Sequence, residues 1–183
     1  KLFWHALYFL LALSAMLCIL SELLSPVVLG AMLSSEDITL QADSYLRWRA
    51  PGLILAFCVC AYRAFYVGST HTRILSTSSV VMVISNIAFN WALIFGKLGL
   101  EPMGIRGAAL GSTLAEGVSL LYLIIASSVR EESKEFGLHT PSRFDVGLLG
   151  SILKVSLWTM IQSFFSIFTW LLFFIFIEHT GQK

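Results

Sequence analysis

An all-α, polytopic membrane helix bundle is the fold class this sequence predicts, and three observations predict it. Residues 74–96 and 155–177 are two stretches of 23 consecutive residues without a formal charge. Each is long enough to cross a hydrocarbon core of about 30 Å as a helix. Of the 183 residues, 57% are hydrophobic and 13% charged, and the mean hydropathy is +0.82. Whole segments are therefore apolar on every face, where a soluble helix would carry one apolar stripe. Hydrocarbon offers no hydrogen-bond partners, so stretches of this length satisfy their own backbone as helices; the short alternating strands of a membrane barrel are a different pattern.

The first helix is expected over about residues 4–24, with Ser25 and Pro26 breaking or kinking it before a further apolar turn at 27–33. Its apolar run exceeds the hydrophobic region of a signal peptide and continues into more apolar sequence, so it reads as a membrane helix. Ser34-Ser35-Glu36-Asp37 reads as a helix start in water. The second helix has less distinct limits: residues 45–51 mix charge with aromatics, residues 52–62 are apolar, and Arg63 then interrupts the apolar run. Arg47 and Trp48 are expected to anchor it at the membrane interface.

A polar turn at 68–72 leads to the third helix, about 74–95, which Gly96 to Pro102 closes. Connections this short predict antiparallel neighbours. The fourth helix, about 107–129, opens on a row of small residues, Gly104, Gly107, Gly111 and Ala115, which would let another helix backbone approach closely. Residues 130–145 then hold a cluster of charge with Gly137 and Pro141, and are expected to be a cytoplasmic linker. The fifth helix runs over about 146–177. The organisation expected is thus four helices in 1–129, a linker at 130–145, and one helix in 146–183. The chain starts at Lys1 and stops at Gly181-Gln182-Lys183 just past an apolar helix, and it reads as a piece of a longer protein.

A net charge of +1 and four scattered histidines supply no basic face for nucleic acid. Cys18 lies in the first apolar segment, and Cys58 and Cys60, two apart on a helix, point away from each other. Neither a disulfide nor a metal site is expected. There is no nucleophile triad, metal-ligand pattern or phosphate loop, so no enzymatic activity and no cofactor are expected.

Polar groups inside a membrane are costly and tend to face a bundle interior, so they are the first candidates for function. Glu116 lies ten residues beyond Arg106, roughly 15 Å along a helix and near the bilayer midplane. It could carry a coupled proton, or be a structural group paired with a neighbour such as Arg63 or kept protonated by burial. Asn86 and Asn90 are spaced i, i+4 on one face of the third helix, with Asn86 at about the depth of Glu116. That level allows a polar cluster between the third and fourth helices, holding a cation or water chain, or serving as interhelical hydrogen bonding. Gln162, with Ser163 and Ser166 nearby, either lines a cavity or braces a helix pair, and Trp91 either stacks on a flat cation or packs. Arg63 reads as an anchor reaching towards the turn of His71 and Arg73.

Three blocks, YLRWRAPGLILAFCVCAYRAFYVGSTHTRI at 45–74, SNIAFNWALIFGKLGL at 85–100 and MGIRGAALGSTLAEG at 103–117, together resemble the multidrug and toxic compound extrusion (MATE) transporters of the NorM type. The resemblance covers nearly the whole chain and implies helices three to seven of twelve, in a fold of two six-helix lobes joined by a cytoplasmic linker. It implies a multi-pass protein of the cell membrane, most simply the bacterial inner membrane. It implies an antiporter that exports organic cations or amphipathic drugs while H+ or Na+ enters, working with the remainder of the same transporter. Asn86 and Asn90 match the family's polar pair on its fifth helix; where some members carry Asp, this chain has Asn90. The family's seventh-helix Glu has no counterpart in the stretch around Gln162, which shifts the expectation of ion coupling towards Glu116, towards Asn86 and Asn90, or to residues outside this chain. The alternatives are a lipid-linked saccharide flippase of related fold, a membrane-embedded enzyme, and a purely structural bundle.

Overall fold

The computed structural model describes residues 1–32, 36–97, 99, 101–129, 138 and 145–180. Six helices occur among them: α1 (Leu2–Met32), α2 (Glu36–Arg49), α3 (Gly52–Gly68), α4 (Thr72–Ile94), α5 (Ile105–Val129) and α6 (Val146–Thr180). No strand occurs among the described residues. Four stretches, Leu2–Gly30, Thr72–Ile94, Ile105–Val129 and Val146–Phe173, are long and apolar enough to cross a membrane, and Asp37–Arg49 with Gly52–Gly68 qualifies as a pair bent by 49°. The chain is a helical membrane bundle, with four candidate spans among the described residues, or five if the bent pair is one. It divides into two compact units, Lys1 with Phe3–Ser142 and Leu2 with Arg143–Lys183. The first carries α1–α5 and the second α6. Apart from Leu138 and Asp145, the expected linker at 130–145 lies outside the described residues.

Of the break or kink expected at Pro26, the break does not occur: α1 continues through it as helix. A proline in a helix removes one donor, but in an apolar setting no water replaces the remaining backbone bonds if the helix stops. Continuing is the cheaper course. The turn is also held from outside, because the buried Ser25 hydroxyl donates to Asp43 Oδ1 on α2 at 2.6 Å. Asp43 in turn accepts from Arg47 Nε at 2.8 Å.

The expected second helix is two elements. Ala50 and Pro51 end α2, since proline disfavours helical geometry in the residue before it and suits the start of a new helix. Downstream, α4 stops where Gly96 takes a φ of 64°, the left-handed conformation that lets Lys97 N–H reach back to the Ala92 carbonyl at 2.9 Å. Helix α6 begins where Asp145 Oδ1 accepts the backbone N–H of Gly147 at 2.9 Å, a cap for an otherwise unpaired donor.

Helices α4 and α5 run antiparallel, as the short connection predicts: Leu93 meets Gly107, Asn90 meets Gly111, Asn86 meets Ser112 and Ser78 meets Ser119. The small residues make this approach feasible. Gly107, Gly111, Ala115 and Ser119 are all buried on α5, and the row runs on through Leu123 and Ser127. Gly104, expected at its head, precedes the helix and has no neighbour within 4 Å of where a Cβ would stand. Farther along, Val59, Tyr66, Ile74 and Leu123 form an apolar cluster where α3, α4 and α5 meet, and Tyr66 donates its hydroxyl to the Leu123 carbonyl at 3.4 Å.

The buried Ser78 and Ser119 hydroxyls bond at 2.8 Å. Polar pairs between membrane helices contribute modestly, because the unpaired hydroxyl finds a backbone carbonyl. Ser78→Ala should lower stability by about 0.6 kcal/mol, read from thermal unfolding in detergent; a loss above about 2 kcal/mol would mean that this seam holds the bundle.

Candidate functional site

A cavity of about 420 Å³ opens between α2, α4 and α5, lined by Tyr45, Arg49, Met82, Val83, Asn86, Ile87, Ser112, Ala115 and Glu116. Helical geometry brings these residues together. Met82, Val83, Asn86 and Ile87 recur at spacings of three and four on α4, as do Ser112, Ala115 and Glu116 on α5, so each set faces one way. Tyr45 and Arg49, four apart, do the same on α2. The lining mixes apolar side chains, Met82, Val83, Ile87 and Ala115, with the polar groups of Tyr45, Arg49, Asn86, Ser112 and Glu116, and convergent polar groups of this kind fix the orientation of a bound small molecule.

The strongest polar contact is an ion pair. Arg49 Nη1 donates to Glu116 Oε2 at 2.9 Å and Nη2 donates to Oε1 at 2.5 Å. The planar guanidinium matches the carboxylate through two parallel bonds. The side chains are only 24% and 16% exposed, so water screens the pair weakly. Arg63, one neighbour considered for Glu116 and read as an anchor, is engaged elsewhere. It donates from Nη2 to Ser79 Oγ on α4 at 2.7 Å, a contact that ties α3 to α4.

Asn86 and Asn90 form a relay on α4. Asn90 Nδ2 donates to Asn86 Oδ1 at 2.9 Å, and Asn86 Nδ2 donates across to Ser112 Oγ on α5 at 3.1 Å. The amide orientation of Asn86 is thus held from both sides, with its nitrogen turned to α5. Asn90 Oδ1 is buried without a hydrogen-bond partner among the described residues. It lies against Gly111, where a Cβ would collide with it. A buried acceptor left empty is uncommon, and this one adjoins the cavity's amide.

Of the residues singled out from sequence, Asn86 and Glu116 share the cavity, and Asn90 supports it through Asn86. Trp91 is 52% exposed and is not among the lining residues. Gln162 is exposed on α6, in the other compact unit. A hollow along α6 is lined, among the described residues, by Ser166, Thr169, Trp170 and Phe173, and Gln162 is not one of them. Sequence reasoning does not single out Arg49, Tyr45 or Ser112. A charge next to an interface aromatic reads as an anchor, which hides Arg49, and only Pro51-Gly52 behind it hints that the chain turns there.

Among the described residues, no three His, Cys, Asp or Glu side chains gather closely enough to hold a metal ion.

A family model described as MatE matches residues 1–92. Several curated proteins named "Probable multidrug resistance protein NorM" are similar. The one from Halalkalibacterium halodurans is 28% identical over 123 residues, 67% of this chain and 27% of that protein. Its namesake from Streptococcus pneumoniae serotype 4 is 25% identical over 146 residues, covering 80% of this chain and 32% of its own length. That from Synechocystis is 31% identical over 91 residues, covering 50% and 20%. The chain therefore spans between a fifth and a third of these relatives' length. No solved structure matches it at a significant level.

Proposed function

This chain belongs to the MatE family, and from that premise we propose that it is part of a multidrug efflux transporter. In this reading the protein exports organic cations or other amphipathic drugs by alternating access, in exchange for H+ or Na+, across a cell membrane such as the bacterial inner membrane. The residues here supply helices three to seven of a twelve-helix, two-lobe fold, and the rest of the same protein completes the path.

The observation that supports this most directly is the cavity itself. Asn86, Ser112, Glu116 and Arg49 converge between helices, two of which, α4 and α5, are apolar enough to lie in lipid. Polar groups at such depth generally mark a solute or ion path. The printed names of the relatives, multidrug resistance proteins, favour a drug over other solutes. A flippase for lipid-linked saccharides fits less well. A pyrophosphate needs free cationic donors, and among the described residues the one guanidinium lining this cavity is already engaged by Glu116.

Drug-resistance assays on cells expressing the full-length protein test the reading. Asn86→Ala, Asn90→Ala and Glu116→Gln should each reduce the tolerated drug concentration, Glu116→Gln to near the level of cells without the transporter. Wild-type resistance in all three would remove this cavity from the transport path. Uptake of a fluorescent cation into vesicles energised by a proton or by a sodium gradient identifies the coupling ion.

A further inference from the structure

Arg49 reaches Glu116 by a route that depends on one missing side chain. It is the last residue of α2, and the chain then bends by 49° into α3, which starts at Gly52. A Cβ at Gly52 would strike Arg49 Nη1 and come within 2.5 Å of Thr113 Oγ1. Gly52 is buried, and it lies within α3, so its backbone does not require glycine. What the position requires is space: the guanidinium passes over it to reach α5. Both oxygens of Glu116 are then occupied, one by Nη1 and one by Nη2.

We propose that Arg49 is a tethered counter-cation that sets the cavity's cation affinity: it fills Glu116 when the cavity is empty, and a cation has to displace it to reach the carboxylate. This rests on the efflux reading. The other titratable group lining the cavity is Tyr45, on α2 beside Arg49; α4 contributes uncharged Asn86, and α5 contributes Ser112 and Glu116. Among the described residues, Glu116 is thus the one carboxylate lining the cavity to which an incoming cation can bind. Guanidinium and ligand compete for it, and Arg49 with Gly52 determines how hard that competition is.

The test is equilibrium binding of ethidium, a planar permanent cation, to the purified full-length protein, followed by fluorescence, with ethidium transport in proteoliposomes measured alongside. Apparent affinity scales with the fraction of sites that are free, so an ion pair that leaves Glu116 available about a fifth of the time weakens binding roughly fivefold. Arg49→Gln and Gly52→Ala should each tighten ethidium binding by that factor. Gly52→Ala is the sharper variant, because it keeps both charges and bars the route; its second contact, with Thr113 Oγ1, is relieved by making it in a Thr113→Ala background, with Thr113→Ala alone as the reference. Arg49→Lys should return the affinity towards wild type, and Glu116→Gln added to Arg49→Gln should erase the gain. A purely structural Arg49 would lower the yield of folded protein without tightening binding.

Wild-type transport together with unchanged or weaker binding by Gly52→Ala overturns this inference alone. Binding that tightens as expected in a protein that does not transport ethidium overturns the efflux reading. If Arg49→Gln does not accumulate, the Gly52→Ala result decides.

Discussion

Glu116→Gln should destabilise the protein by about 2–4 kcal/mol and abolish export, and adding Arg49→Gln should restore most of the stability but none of the export. The asymmetry comes from what each change leaves behind. The single variant strands a guanidinium, which stays charged at any accessible pH, in a cavity where its side chain is only 24% exposed. Removing one partner of a buried pair leaves the cost of burying the other uncompensated, whereas replacing both with neutral groups of similar shape is often nearly neutral. The expected loss sits towards the lower part of the usual range because some solvent reaches both groups. Thermal unfolding in detergent gives the first quantity and ethidium efflux the second. A double variant no more stable than Glu116→Gln would show that the two groups are not energetically coupled.

Gly107→Val should prevent folded protein from accumulating, and Gly107→Ala should cost about 1–3 kcal/mol through overpacking. A Cβ at this position would stand 2.8 Å from the Leu93 carbonyl carbon and oxygen and 3.0 Å from the Ile94 nitrogen. These are backbone atoms of α4 and cannot rotate aside, so α4 and α5 would have to separate along the seam that carries the Asn86–Ser112 bond. Gly111 makes a useful contrast. Its Cβ would meet the Asn90 side chain, which can move, so Gly111→Ala should cost less stability while disturbing the amide relay. Gly30→Ala is the control: nothing lies within 4 Å of that Cβ, and alanine is the better helix former, by roughly 0.5–1 kcal/mol. The yield of monodisperse protein in detergent reads all three, and equal yields for Gly107→Val and Gly30→Ala would contradict the packing described.

Much of this architecture is legible in the sequence. Hydropathy and chain breakers place α4 and α5 within two residues of their observed ends, because each lies between a polar turn and a glycine or proline. The α5 small-residue row is legible as a packing face for the same reason that it works as one: helices in lipid approach most closely where side chains are smallest. Counting residues from the membrane edges puts Asn86 and Glu116 at one depth; across the α4–α5 seam Asn86 meets Ser112, one helical turn from Glu116. Asn86 and Glu116 do line one cavity. The break does not occur at Pro26 because its local preference competes with the cost of exposing backbone to lipid, and the second effect prevails.

The partner of Glu116 is not legible in the same way. Arg49 and Glu116 are 67 residues apart, and Arg63 lies on the same expected helix with an equally long side chain. Which of the two meets the carboxylate depends on the direction of the bend at Ala50-Pro51 and on the space left above Gly52. The amino-acid sequence by itself determined that this chain is helical and which stretches are apolar enough to cross lipid, because these are set by local quantities: hydropathy and chain breakers. The tertiary structure alone decided which polar group faces which, since pairing depends on how helices cross, and crossing is set by packing between residues that sequence order keeps far apart.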